Sequence, residues 1–280
     1  MQRVLWQIGG LEIRTFGFFI GVGMLVGILV SYSEAKRKKM ADEFVDFLSW
    51  ALVLGAVGAR LAFILTSDPL GYLADPLEIL RVDLGGLSIH GAILGGIGAG
   101  IWYSRRKKVS FWRLADVVVP GLVLAQAIGR VGCDVFGYAM AKPGSWGVRV
   151  DGLILHPVQI YESLLDYGIF AFLWLRRARA RYDGRLFVEY LFLFSMARGV
   201  VEFFRTNPVV WGPFSIAHVA SLVLAVAAVA IHLGLRRSAA TRVSASISNT
   251  AVDSSPWLAG LAVAVAATLS VIVYYAFPPA

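Results

Sequence analysis

Charge is scarce in this chain. Asp, Glu, Lys and Arg make up 16% of its 280 residues while 58% are hydrophobic, against about 25% charged and 45–50% apolar in soluble proteins. That deficit, with a mean hydropathy of +0.71, excludes a disordered chain and one or two soluble domains, and leaves an all-α polytopic membrane protein as the fold class. Cysteine is nearly absent: Cys133 alone cannot form an intramolecular disulfide, and no Cys/His spacing matches a zinc site. A phosphate-loop lysine and a dinucleotide fingerprint are also missing, so soluble nucleotide chemistry has no support. No cofactor and no metal are expected. Acidic residues are in deficit, 18 against 26 Lys and Arg, for a net charge of +8. In a membrane protein such an excess marks cytoplasmic loops before it marks a nucleic-acid partner, and no nucleic acid is expected.

What the chain does have is long apolar runs. Spanning the hydrocarbon core takes about 20 residues, and eight segments come near that length: Phe16–Tyr32, Phe44–Leu65, Leu87–Tyr103, Leu114–Ile128, Val158–Leu175, Leu186–Phe204, Phe214–Leu235 and Pro256–Phe277. The first and fourth are short. Basic clusters follow alternate segments, at Lys36-Arg37-Lys38-Lys39, Arg105-Arg106-Lys107-Lys108, Arg176 to Arg181 and Arg236-Arg237, while Asp68, Asp75, Glu78 and Asp83 share the loop between the second and third. With Arg113, Arg185 and Arg242, 17 of the 26 basic residues fall on one face, which is cytoplasmic by the positive-inside rule. Both termini then lie outside. A signal peptide is disfavoured because the basic cluster follows the first apolar run instead of preceding it. Three regions are expected: a seven-helix transmembrane body over 1–237, a Ser/Ala/Thr-rich cytoplasmic linker over 238–255 and an additional transmembrane helix over 256–280.

Ionisable groups at membrane depth are costly and mark functional cavities. With a 1.5 Å rise per residue, Arg60, 16 positions after Phe44, lies about 24 Å across a core of about 30 Å. Arg130 and Arg198 lie about 25 and 20 Å up their helices, and His90 sits a few residues into the third. Four basic or potentially basic side chains thus occupy the outer half of the bilayer. Arg198, Glu202 and Arg205 share a helix face by their i, i+4, i+7 spacing, and Gln159, Glu162 and Asp166 stack after His156-Pro157. Arginine forks suit phosphate oxygens, and a lipid phosphate occurs at this depth. The alternative for each arginine alone is snorkelling to the interface, and Arg205, at a helix end, suits that role. Gly95, Gly96, Gly98 and Gly100 read as helix-packing positions. Around His90 and Arg130 the glycines also suit close approach of a ligand to the backbone.

These stretches together resemble the prolipoprotein diacylglyceryl transferase family. The resemblance is carried by Gly58-Ala59-Arg60-Leu61, Gly85-Gly86-Leu87-Ser88-Ile89-His90-Gly91, Gly129-Arg130-Val131-Gly132-Cys133, His156-Pro157-Val158-Gln159-Ile160-Tyr161-Glu162 and Arg198-Gly199-Val200-Val201-Glu202-Phe203-Phe204-Arg205. It runs from about Leu11 to Leu235 and leaves out the last helix. It implies a bacterial inner-membrane enzyme that moves the diacylglyceryl group of phosphatidylglycerol to the thiol of the lipobox cysteine of a prolipoprotein signal peptide and releases glycerol phosphate. On that resemblance His90, Arg130 and Arg198 are the catalytic candidates, the arginines on the phosphate and His90 assisting thiol deprotonation, with Glu202 and Arg205 in support. Arg60, Gln159 and Glu162 complete the expected substrate-binding set.

The chain departs from the family at Phe16 and Phe194, where tyrosines are usual, so any hydroxyl role is lost or moved to a neighbour such as Ser195. Tyr138 and Ala141 also break the pattern after Gly132, and His218 replaces a usual glutamine. These departures motivate an alternative, a non-catalytic phospholipid-binding or transport paralogue on the same scaffold. An ion channel or porter is disfavoured, because the charges gather at one depth instead of lining a path to both faces.

Overall fold

The computed structural model describes residues 4–9, 11–81, 85–240 and 256–276. Among them, eight long helices stand where the apolar runs are: α1 (Thr15–Arg37), α2 (Ala41–Thr66), α4 (Ile89–Lys107), α5 (Phe111–Val131), α6 (Val158–Arg176), α7 (Arg185–Glu202), α8 (Ile216–Ala240) and α9 (Pro256–Ala276), with a short α3 (Pro69–Ala74) after α2. α1, α2, α5, α8 and α9 are each long and apolar enough to cross a membrane by length and composition. The chain is an all-α polytopic membrane protein. Leu25, Leu29 and Leu65 expose 66–71% of their surface on these helices, which suits lipid and not water. The two segments that look short from apolarity are full-length helices of 23 and 21 residues, because α1 continues through Lys36 and Arg37 and α5 begins at Phe111. Of the expected linker, 241–255 lies outside the described residues, and Ser238 to Ala240 continue α8.

The chain forms two compact units, one of Met1–Ser31 with Val118–Ala280 and one of Tyr32–Val117. In the second unit α2 starts with Asp42 and Glu43 in its first turn, where acidic groups favour the helix dipole. α4 is capped by Ser88, whose hydroxyl accepts from the Gly91 amide, and it ends on Arg105, Arg106 and Lys107. The two helices meet on bare backbone. A Cβ on Gly58 would sit 2.5 Å from the Gly91 carbonyl oxygen, and one on Gly91 would collide with the Gly58 carbonyl. Gly95 likewise abuts the Leu54 carbonyl, whereas Gly96 and Gly98 face open space. Of the four expected packing glycines, then, Gly95 and Gly100, which faces Phe111, are in close contact.

In the first unit α5, α6 and α7 share a core of Val123, Ala127, Tyr167, Phe170, Leu173, Leu186 and Tyr190. The Ser163 hydroxyl donates to the Ala127 carbonyl at 2.8 Å, tying α6 to α5 one residue after Glu162. Three antiparallel hairpins accompany the helices: β1 (Val4–Ile8) with β2 (Leu11–Arg14) before α1, β3 (Val148–Val150) with β4 (Leu153–Leu155) between α5 and α6, and β5 (Val209–Trp211) with β6 (Phe214–Ser215) between α7 and α8. The β3–β4 turn is Asp151-Gly152, both at positive φ, the two-residue hairpin signal that apolar periodicity passes over.

Candidate active site

Within the first unit, three helices bring their charged groups to one carboxylate. Glu162, one turn into α6, has its Oε2 2.8 Å from Arg130 Nε at the end of α5. Its Oε1 lies 3.2 Å from Arg205 Nη1 and 3.5 Å from Arg198 Nη1. Glu202, on the last turn of α7, receives Arg198 Nη1 at 2.7 Å and faces Arg205 Nε at 3.7 Å on the same oxygen. Its other oxygen accepts from Asn207 Nδ2 at 2.7 Å and from the Ser215 hydroxyl at 2.5 Å. His218 Nδ1 accepts from the Ser215 amide at 3.0 Å. Both carboxylates are buried while the three arginine side chains stay 15–30% exposed. The cluster therefore turns its cations outward and anchors them on buried anions.

In these ion pairs three guanidiniums face two carboxylates, and the buried Asp166 carboxyl stands beside them. The closest approach of Arg130 to Glu162 is through Nε. A small pocket beside the cluster is lined by Arg130, Glu162, Asp166, Phe194 and Arg198. Preorganised cations in a site of low dielectric are worth far more to a developing anion than the same cations in water.

The second unit holds Arg60 and His90. Arg60 is buried, and its donors are engaged by backbone carbonyls: Nε to Ile79 at 2.9 Å, Nη1 to Gly85 and Gly86 at 3.1 and 3.0 Å, and Nη2 to Glu78 at 2.5 Å. Tyr72 and Phe63 cover the guanidinium, with centroids at 5.2 and 5.9 Å. Depth alone groups Arg60 with Arg130 and Arg198, but its partners tie it to the loop that precedes α4. His90 is exposed at the start of α4, two residues after the capping Ser88. The neighbouring Gly91 is committed to helix packing, so the expected close approach of a ligand to the backbone there gives way to that of α2.

The family model of prolipoprotein diacylglyceryl transferase matches residues 3–234. The chain belongs to the prolipoprotein diacylglyceryl transferase family. A Clostridioides difficile protein named phosphatidylglycerol–prolipoprotein diacylglyceryl transferase is 34% identical over 247 residues, covering 87% of this chain and 99% of the relative. Proteins of the same name from Listeria welshimeri and Bacillus cytotoxicus are each 34% identical, covering 82% and 81% of this chain and 88% and 89% of theirs.

Against the family's expected site, the structure gathers Arg130, Arg198, Arg205, Glu162 and Glu202. Arg205 is part of the ion cluster and not an isolated interfacial anchor. Gln159, expected on substrate, is fully buried, and its amide nitrogen donates to the Tyr274 hydroxyl at 2.6 Å. Phe194 lines the pocket and stacks on Tyr190 at 5.5 Å. Ser195 is no substitute for the missing phenol, because its hydroxyl is buried and bonds back to the Phe192 carbonyl at 2.8 Å. Burial pushes the Cys133 thiol up from its ordinary value, against the lowering effect of Arg130, so it is neutral at physiological pH and ill-suited as a nucleophile. Asn207 and Ser215, which orient Glu202, escape a sequence reading because Asn207 lies in the chain after α7 and Ser215 in the two-residue strand β6, neither of which carries a periodic pattern. Their signal is proximity to the charged end of α7.

Proposed function

We propose that this protein transfers the diacylglyceryl group of phosphatidylglycerol to the thiol of a lipobox cysteine in a prolipoprotein signal peptide, releasing glycerol phosphate. The observation that carries the reading is the convergence of Arg130, Arg198 and Arg205 on Glu162. The substrate thiolate attacks the glyceryl carbon that bears the phosphate. A C–S bond forms, the C–O bond breaks, and the electron pair leaves on the phosphate oxygen. The phosphodiester, with one negative charge, becomes a monoester whose second ionisation lies near pH 6. Charge therefore grows on the phosphate as the bond breaks, and Arg130 and Arg198 stabilise it there.

A free thiol has a pKa of about 8.5 and reacts as the thiolate. His90, exposed at the head of α4, is assigned to take the thiol proton. Glu162 and Glu202 hold the arginine forks in place, so that little reorganisation accompanies the step. Arg60 acts on this reading through the loop it binds, without touching the phosphate.

The membrane helices and family membership support a multi-pass protein of the bacterial cytoplasmic membrane, with the arginine cluster at the outer leaflet. Tyr274 pairs with Gln159 and Ser270 with Tyr167, so α9 runs antiparallel to α6, which supports a C-terminal end on the face where α6 begins. Incubating the purified protein with phosphatidylglycerol and a lipobox peptide tests the proposal. The expected result is a diacylglyceryl mass gain on the peptide, abolished when its cysteine is replaced by serine. Phosphatidylglycerol binding with no mass gain, beside a working relative, would favour the non-catalytic alternative.

A further inference from the structure

The family match ends at residue 234, yet α9, which begins at Pro256, reaches the first turn of α6. One stripe of α9 is turned inward: Val263, Ala266, Ala267, Ser270, Val271 and Tyr274 recur at helical spacing and pack on the core of the first unit. Its other face, with Leu258, Leu261, Val265 and Leu269, stays exposed as lipid-facing residues do. A helix that only anchored the chain in the bilayer would need no polar groups on its inner stripe. α9 has three. The Ser270 hydroxyl pairs with the Tyr167 hydroxyl at 2.8 Å, the Tyr274 hydroxyl accepts from the buried Gln159 amide at 2.6 Å, and the Tyr275 hydroxyl donates to the Trp146 carbonyl.

The last two contacts lead to the turn of α6 just before Glu162. Gln159 stands one turn before it on α6. Trp146 Nε1 donates to the Tyr161 hydroxyl at 3.0 Å, and that hydroxyl also meets His156 Nδ1 at 3.1 Å. The Tyr161 and His156 rings pack on Phe204 at 5.7 and 5.1 Å, next to Arg205. The end of α9 thus holds α6 directly at Gln159 and, through Trp146, at Tyr161, both in the turn that leads to the carboxylate the three arginines share. We propose that α9 is a clamp for the arginine cluster, with Tyr274 and Tyr275 as positioning residues that fix the first turn of α6 and, through Glu162, the guanidiniums of Arg130, Arg198 and Arg205. The part of this inference that concerns catalysis rests on the transferase reading above.

Hydroxyl deletion tests the clamp with the ring packing kept. Tyr274→Phe, Tyr275→Phe and the double variant are compared with Ser270→Ala, which removes a polar contact of the same helix away from the Glu162 turn. In the full-length protein, at matched folded concentration, the double variant is expected to lose at least fivefold in kcat for peptide lipidation. Hydrogen exchange at the Tyr161 and Glu162 amides is expected to rise at least tenfold. Ser270→Ala is expected to lower the thermal midpoint and hold kcat within twofold. Where the double variant does not fold, the single variants carry the comparison. Unchanged kcat with unchanged exchange overturns the clamp, and so does a Ser270→Ala loss of kcat equal to that of the double variant, which would make α9 a general scaffold. If the wild-type protein lipidates no peptide, the transferase reading fails by itself and exchange at Tyr161 and Glu162 still decides the clamp, faster exchange supporting it and equal exchange overturning it.

Discussion

Glu162 Oε2 lies 2.8 Å from Arg130 Nε while its other oxygen serves Arg205 and Arg198. One buried carboxylate thus fixes the spacing of three cations drawn from two different helices and the chain beyond α7. Removing its charge leaves Arg198 and Arg205 with Glu202 and takes from Arg130 its ion pair with Glu162. Glu162→Gln is expected to lower kcat at least a hundredfold without raising KM for phosphatidylglycerol, because the cluster gains positive charge but loses its geometry. Breaking a buried pair costs about 3–5 kcal/mol, so the thermal midpoint should also fall. Steady-state kinetics beside a thermal melt check both. A raised KM at unchanged kcat would point instead to ground-state binding alone.

Arg130 and Arg198 each present a planar fork, which a lysine ammonium cannot reproduce. Replacement of either by Ala should cost about 10²–10³ in kcat, the loss seen when one oxyanion donor is removed. Replacement by Lys should recover only a small part, since charge returns without the bidentate geometry. Single-turnover lipidation of the peptide separates these outcomes, and a Lys variant near the wild-type rate would show that charge alone suffices.

If His90 accepts the thiol proton, its removal transfers that task to the solvent. The His90→Gln rate should then climb about tenfold per pH unit until it levels near the peptide thiol pKa of about 8.5, while the wild-type profile levels at lower pH. A pH–rate series on both proteins reads this directly. Parallel profiles would relieve His90 of the role.

The approach of α2 and α4 predicts opposite outcomes for two glycines of one helix. Gly91→Ala puts a methyl group against the Gly58 carbonyl and the Ala62 side chain, whereas Gly96→Ala meets nothing within 4 Å. The first should destabilise by about 1–3 kcal/mol, the usual range for overpacking. The second should be neutral or mildly stabilising. Thermal melts of the two variants in the same detergent settle the comparison.

Much of this was legible in the residue order. Every long helix has an apolar run behind it, and the Arg198, Glu202 and Arg205 face follows from helical spacing alone. Partners were less legible, since depth along a helix says nothing about what a side chain meets. Arg60 shares the depth of Arg130, yet it binds the carbonyls of the loop before α4. Gln159 stacks with Glu162 by spacing, yet its partner is Tyr274, more than a hundred positions away. The hairpins went unseen because strands of two to five residues carry little periodicity, though Asp151-Gly152 is a turn signal in its own right.

In the proposed reaction the arginine cluster takes the phosphate of phosphatidylglycerol as it departs from the diacylglyceryl carbon. With headgroup-labelled phosphatidylglycerol and a lipobox peptide, one labelled glycerol phosphate is expected for each peptide that gains a diacylglyceryl group, with both products lost together in Arg130→Ala and Arg198→Ala. Peptide lipidation at the wild-type rate in those variants, or headgroup release uncoupled from lipidation in the wild-type protein, would contradict it.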